Sequence, residues 1–333
     1  MNQKNRKNES DLVTDKEMDK KWCKNGVYCS YPASCHTDLA VEMKEDMEQQ
    51  SELEGVNVST QKHRYHGIVE TVITIVDEKG ERLLGRPVGN YITLETKALT
   101  KETVQNKLSE IICEQLVRLS GDAKCILVAG LGNRNVTPDA IGPMVMEELM
   151  VTRHLYAEQE QSQVPIKIVS AIAPGVMGQT GVETVEILKG LVKQVQPDVV
   201  IVIDALAARS SNRLNRTVQI CDTGIRPGAG VGNNRQEISK ESLGVKVIAI
   251  GVPTVIAVPT IIIDAMQNLL FHLHQDKEGE ILKEFDYEEQ YELASELVRP
   301  YFSDMFVTPK NIDEEVQRIS DCIADGINRY IVV

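Results

Sequence analysis

No apolar run in this chain approaches the ~18 residues that crossing a bilayer requires. The longest stretches, such as Val199 to Ile203, are strand-sized. That argues against a membrane partner. The N-terminus, MNQKNRKNESDLVTDKEMDKKW, carries charge where a secretory signal needs an apolar centre. Basic residues are also short, with 36 Lys+Arg against 49 Asp+Glu and a formal net charge of −13 over 333 residues. Phosphate binding needs a basic face, so direct nucleic-acid binding is not expected. Cysteine is thin and odd in number, seven in all, which points to a reducing, cytoplasmic setting rather than a disulfide framework. Internal repeats and low-complexity linkers are missing. What remains is 26% charged and 42% apolar, the balance of an acidic, soluble, globular protein.

Residues 1–38 form a polar head. Seven basic and six acidic residues give it +1, leaving 29 against 43, or −14, for the other 295. The head holds the one Trp, Trp22, and three cysteines, Cys23, Cys29 and Cys35. Their six-residue spacing is unlike the close pairs of zinc sites, so no metal is expected there. From Tyr65 to Thr96 the pattern is β, with Asp77-Glu78-Lys79-Gly80 read as a turn. Apolar residues at helical spacing follow over 101–119. Thereafter strands and helices alternate. Strands are expected at Cys125–Ala129, Ile166–Ile172, Val199–Ile203, Thr217–Cys221 and Val245–Ile250, and helices over 139–153, 182–195 and 255–274. Two more helices are expected near 287–299 and 311–329. Continuous apolar strands between helices predict an α/β fold with a mostly parallel sheet covered on both faces, extra β-hairpin strands before it and helices at the C-terminus. Residues 39–333 read as one domain.

Two acidic residues stand where such a sheet places chemistry. The strand ending Leu127-Val128-Ala129 runs into Gly130-Leu131-Gly132-Asn133, then Thr137-Pro138-Asp139. Thr137 suits an N-cap, Pro138 the first helical position and Asp139 the first turn. The loop resembles a dinucleotide fingerprint but has Asn135 where its third glycine belongs. A second strand, Val199 to Ile203, ends on Asp204. Ligands of open α/β sheets bind at the carboxyl ends of strands, so Asp139 and Asp204 are expected on one functional edge. By residue type they suit either acid–base work or metal ligation. Asp222-Thr223-Gly224 matches the pepsin-like tripeptide, but those enzymes are all-β with two such loops. It reads here as a glycine-rich loop in which Gly228, Gly230 and Gly232 allow close backbone approach. Serine-hydrolase elbows, H-E-x-x-H and an evident catalytic Cys are missing.

Four motifs in order, GLGNRNVTPDAIGP, DVVIVIDALAARS, CDTGIRPGAGVGNNR and VIAIGVPTVIA, resemble those of the bacterial spore germination proteases, and the N-terminal HTDLAVE adds to the match. The resemblance runs from about Thr37 to the C-terminus. It implies a fold akin to the hydrogenase maturation proteases and a self-processing endopeptidase, made as a zymogen in the forespore, that degrades small acid-soluble spore proteins during germination. It further implies a homotetramer, no cofactor, and a catalytic aspartate pair matching Asp139 and Asp204. The family's substrate site, Thr-Glu-(Phe/Ile)-Ala-Ser-Glu, is cut after its first Glu, and Thr37-Asp38-Leu39-Ala40-Val41-Glu42 has the same order of residue types. Self-cleavage between Asp38 and Leu39, removing residues 1–38, is the resulting expectation. An acid before the cut calls for a cationic pocket, for which Arg209, Arg226 and Arg235 are candidates. Arg134 departs from the aromatic usual in the family's GLGN motif, and the Cys-bearing head is longer than usual.

Other readings remain open on the sequence. A hydrogenase-maturation-like enzyme would use its acids to hold a metal such as nickel. A nucleotide-binding α/β protein would use the glycine loop.

Overall fold

The computed structural model describes residues 37–47, 54–97, 99–156, 166–232, 235–273, 287–299, 301–302 and 304–333. Most of the expected propeptide, with Trp22, Cys23, Cys29 and Cys35, lies outside the described residues, as do Asn233 and Asn234 of the third motif.

Among the described residues, the strands form one sheet of nine. Three strands come first: β1 (Val56–His63), β2 (Ile68–Ile75) and β3 (Gly89–Thr96), paired antiparallel in sequence order. Then come β4 (Cys125–Gly130), β5 (Ile168–Ile172), β6 (Val199–Ala208), β7 (Thr217–Cys221), β8 (Lys246–Ala257) and the short β9 (Phe306–Val307). The order across the sheet is β1-β2-β3-β7-β8-β6-β4-β5, with β9 added on β8. Parallel pairing joins β8, β6, β4 and β5. Antiparallel β7 links them to the meander. The polar β1, VNVSTQKH, escapes a hydrophobic reading because it is a mostly exposed edge strand.

Strand alternation sorts the core onto two faces. Ile126, Val128, Ile201 and Ile203 pack with α3 (Glu102–Ser120), α4 (Ile141–Glu147) and α8 (Ile312–Val332). Leu127, Ala129, Val200 and Val202 turn the other way, onto Val185 and Leu188 of α5 (Thr184–Val195). A third cluster places Leu39, Ala40, Val41 and Met43, at the start of α1 (Ala40–Met47), against Ile73, Ile75, Tyr91 and Leu206. The expected cleavage sequence is therefore part of the core.

Several local expectations change. Asp77 does not open a bare turn; its carboxylate accepts from the N–H groups of Lys79 and Gly80 and caps α2 (Glu78–Leu84). Cap chemistry and turn chemistry use the same residue types, and only the following residues decide between them. The expected helix at 139–153 is a 3-10 turn, Thr137–Asp139, followed by α4, with a separate helical turn at Arg153–Tyr156. The strand expected to stop at Ile203 continues to Ala208, and β8 runs to Ala257 before α6 (Val258–Leu273) begins. Helix α7 (Tyr287–Val298) and α8 lie where expected. Among the described residues no helix is long and apolar enough to cross a membrane.

Candidate active site

Asp204 lies in β6 rather than at its end, opposite Gly251 of β8, and is only 4% exposed. Burial raises its carboxyl pKa well above the ordinary range, and the charges of Asp139 and Asp38 raise it further. Asp139 reaches the same place from the loop after β4. Its Oδ2 accepts from the Asn133 N–H at 2.8 Å, while burial raises its pKa against that bond and the charge of Arg235. Gly132 makes this approach possible. Its φ is +108°, and a Cβ there would strike the Asp139 carbonyl oxygen.

Thr137 is not the N-cap: Val136 holds that position, and the Thr137 hydroxyl donates instead to Asp313 of α8 at 2.9 Å. A register shift in the β6–β8 ladder falls where Ala207 pairs with Val255 and skips Thr254. The displaced Thr254 donates through its hydroxyl to the Pro138 carbonyl at 2.6 Å. One bulged residue thus fixes the backbone next to Asp139.

The segment Thr37–Glu42 lies in this site. The Asp38 N–H donates to the Ala207 carbonyl at 3.1 Å, and the Ala207 N–H donates to the Asp38 carboxylate at 2.9 Å. The Gly230 N–H also serves that carboxylate, and a Cβ at Gly230 would occupy its space. Burial raises the pKa of Asp38, opposed by the charge of Arg86 and these backbone bonds. Gln219 of β7 spans the next peptide: its Nε2 donates to the Asp38 carbonyl at 2.9 Å, and its Oε1 accepts from the Ala40 N–H at 2.7 Å.

Glu42, fully buried, is held by a second group. The N–H groups of Arg209 and Ser210 donate to its carboxylate at 2.8 and 3.0 Å, and Arg213 Nη1 does so at 3.2 Å. The Thr37 hydroxyl donates to it as well. Arg209 Nη2 binds the Glu42 carbonyl at 2.8 Å, and Arg86 Nη2 binds the Thr37 carbonyl at 3.1 Å.

Of the three arginines expected to line a cationic pocket, Arg209 reaches the segment, Arg235 acts through its charge on Asp139, and Arg226 pairs with Glu237 across the Ile225–Ile238 bridge. Gly228 adopts φ +72° and opens the turn Ala229–Val231 that presents Gly230. Arg86, Arg213 and Gln219 escaped the sequence reading because they lie outside the glycine- and aspartate-rich motifs; only the fold carries them here. Asp222 is engaged by the backbone N–H and side-chain amide of Asn90, at 2.8 and 2.7 Å, which makes it a loop anchor. Arg134 forms an exposed two-point pair with Glu147. Among the described residues no group of three or more His, Cys, Asp or Glu could hold a metal ion.

A sequence model of the germination proteases matches residues 34–284, which includes both aspartates and the whole docked segment. The chain belongs to the germination protease family. Germination protease of Caldanaerobacter subterraneus subsp. tengcongensis is 46% identical over 305 residues, covering 88% of this chain and 92% of the relative. That of Clostridium tetani is 42% identical, with 89% and 94% covered, and that of Bacillus subtilis 39%, with 88% and 92% covered. A crystal structure of the [NiFe] hydrogenase maturation protease HycI from Thermococcus kodakarensis KOD1 aligns with 64% of this chain and 98% of its own at 17% identity and a TM-score of 0.31. Family membership makes this chain a peptidase.

Proposed function

We propose that this germination protease family member is a self-processing endopeptidase of the two-aspartate type. On this reading it cuts first between its own Asp38 and Leu39, then within small acid-soluble spore proteins. The observation that carries the reading is the seating of Thr37–Glu42, with the Asp38 backbone and carboxylate bonded to Ala207 of β6, beside Asp204, on which the charges of both Asp38 and Asp139 act. The environments of the two acids suggest their roles. Asp204, the more deeply buried, holds the proton and serves as the acid. Asp139, with a backbone N–H on its carboxylate and a cation nearby, serves as the base. A water activated by Asp139 adds to the carbonyl carbon, and Asp204 gives its proton to the departing nitrogen. The Asp38 and Glu42 pockets would read the same acid–apolar–acid pattern in substrates. A homotetramer in the forespore, acting on the proteins that coat DNA, completes the proposal; an acidic enzyme does not compete for the DNA itself.

Full-length chain should yield a product beginning at Leu39, read by N-terminal sequencing. Asp204→Asn and Asp139→Asn, checked to be folded, should slow that cut by on the order of a thousandfold or more. A product beginning elsewhere, or asparagine variants that cut at the parental rate, overturns the proposal. Incubation with a small acid-soluble spore protein and mass mapping of the fragments tests the substrate class.

A further inference from the structure

We propose that Gln219 is a catalytic residue of the self-cleavage: its side-chain amide donates to the carbonyl oxygen of the peptide bond that breaks. The inference rests on the reading that Asp38–Leu39 is that bond. Three observations carry it.

The first is geometry. Gln219 Nε2 lies 2.9 Å from the Asp38 carbonyl oxygen, and Oε1 lies 2.7 Å from the Ala40 nitrogen. These two atoms flank Leu39, so a single amide brackets that residue and places its Nε2 on the carbonyl of the peptide joining Asp38 to Leu39. The second is that the amide has one possible orientation. The Ala40 N–H can only donate and the Asp38 carbonyl can only accept, so the oxygen must face the first and the NH₂ the second. The third is rigidity. Gln219 is 7% exposed, and its backbone is held in β7 between Thr93 of β3 and Gly251 of β8. Gly251 is also the ladder partner of Asp204. Donor and acid therefore share one cross-strand row, and the donor is pre-aimed at low reorganisation cost.

During hydrolysis, water oxygen bonds to the Asp38 carbonyl carbon and one water proton passes to the carboxylate of the pair. The π electrons move onto the carbonyl oxygen, where the Gln219 N–H meets the growing negative charge. Collapse of the adduct restores the carbonyl and breaks the bond to the Leu39 nitrogen, which takes the proton held by the other carboxyl. Gln219 exchanges no proton. Its Oε1 bond to Ala40 holds the leaving strand in register.

The test is the first-order rate of self-cleavage of the full chain across pH, compared among parent, Gln219→Met, Gln219→Glu and Asp204→Asn. Methionine keeps the length and removes both hydrogen bonds, so the rate should fall on the order of a hundredfold or more. Glutamate separates the donor from the space it fills. Protonated, its O–H replaces the amide donor while its carbonyl still accepts from Ala40; ionised, it has no donor and repels the oxyanion. The rate of Gln219→Glu relative to parent should therefore climb steeply as pH falls. A Gln219 whose bonds to Asp38 and Ala40 play no part in the cleavage would give a pH-independent ratio. A flat ratio overturns the proposal, as does Gln219→Met cutting within a fewfold of the parent. Should Gln219→Met fail to fold, the Gln219→Glu ratio decides alone. Asp204→Asn keeps the two hypotheses apart: if it cuts at the parental rate the aspartate pair is wrong, whereas an inert Asp204→Asn beside an unimpaired Gln219→Met removes only the role of Gln219.

Discussion

Three carboxyls, Asp38, Asp139 and Asp204, converge in one site, and all three have their pKa raised with burial as the leading cause. The sign of the consequence follows from proton linkage. A carboxyl whose pKa is higher in the folded state binds more protons there than in the unfolded chain between the two values. Stability is then greatest below the unfolded value near 3.8 and declines as pH rises through the folded value. Urea unfolding of the full chain should show this decline above pH ~4. Asp204→Asn should flatten the slope, because burial and the charges of Asp139 and Asp38 together raise the Asp204 pKa well above the ordinary range. An unchanged slope in Asp204→Asn would mean that Asp204 titrates as an ordinary acid.

At the scale of elements, the site depends on irregularities rather than on regular strands and helices. The bulge that skips Thr254 sends its hydroxyl to the Pro138 carbonyl, one residue before Asp139. Thr254→Val keeps the shape and leaves that carbonyl without its partner, a loss of about 1–3 kcal/mol. Self-cleavage should slow with it, because the loop bearing Asp139 loses its tether to β8. Asp77→Ala is the matched control. It uncaps α2 at a cost of about 1 kcal/mol, yet α2 holds none of the site's acids, so self-cleavage should stay near the parental rate. Chemical denaturation and a cleavage time course read both variants. Equal slowing in the two would mean that the rate follows global stability alone.

Seen as a whole molecule, the uncut chain fills its own site with a core element. Leu39 is 0% exposed and packs with Ile73, Tyr91 and Leu206. Cutting before it places a new α-ammonium at a buried position, and an ammonium removed from water without compensation is costly. On the proposed function, a substrate protein would occupy the positions that 39–42 fills. The segment should therefore leave once cut. Hydrogen exchange of amides in Leu39–Met47 should be slow in the full chain and fast in the processed form. Persistent protection after processing would mean that the new N-terminus stays seated and that substrates bind elsewhere.

Much of this protein was legible in the sequence because its signals are local. Runs of β-branched residues such as Val199–Ile203 give strands wherever they are buried, and the period of 101–119 gives a helix. The family motifs mark both aspartates and the Thr37–Glu42 pattern without any coordinates. Other features depend on contacts between residues distant in sequence. Strand β6 runs past Asp204 because β8 continues beside it. Arg86, Arg213 and Gln219 come to the Thr37–Glu42 segment from positions 49 to 181 residues away. No local pattern encodes that proximity. Composition and motif pointed to the acids and the family, while the direction from which the Gln219 amide reaches the Asp38–Leu39 peptide follows from strand order, since β7 lies between β3 and β8.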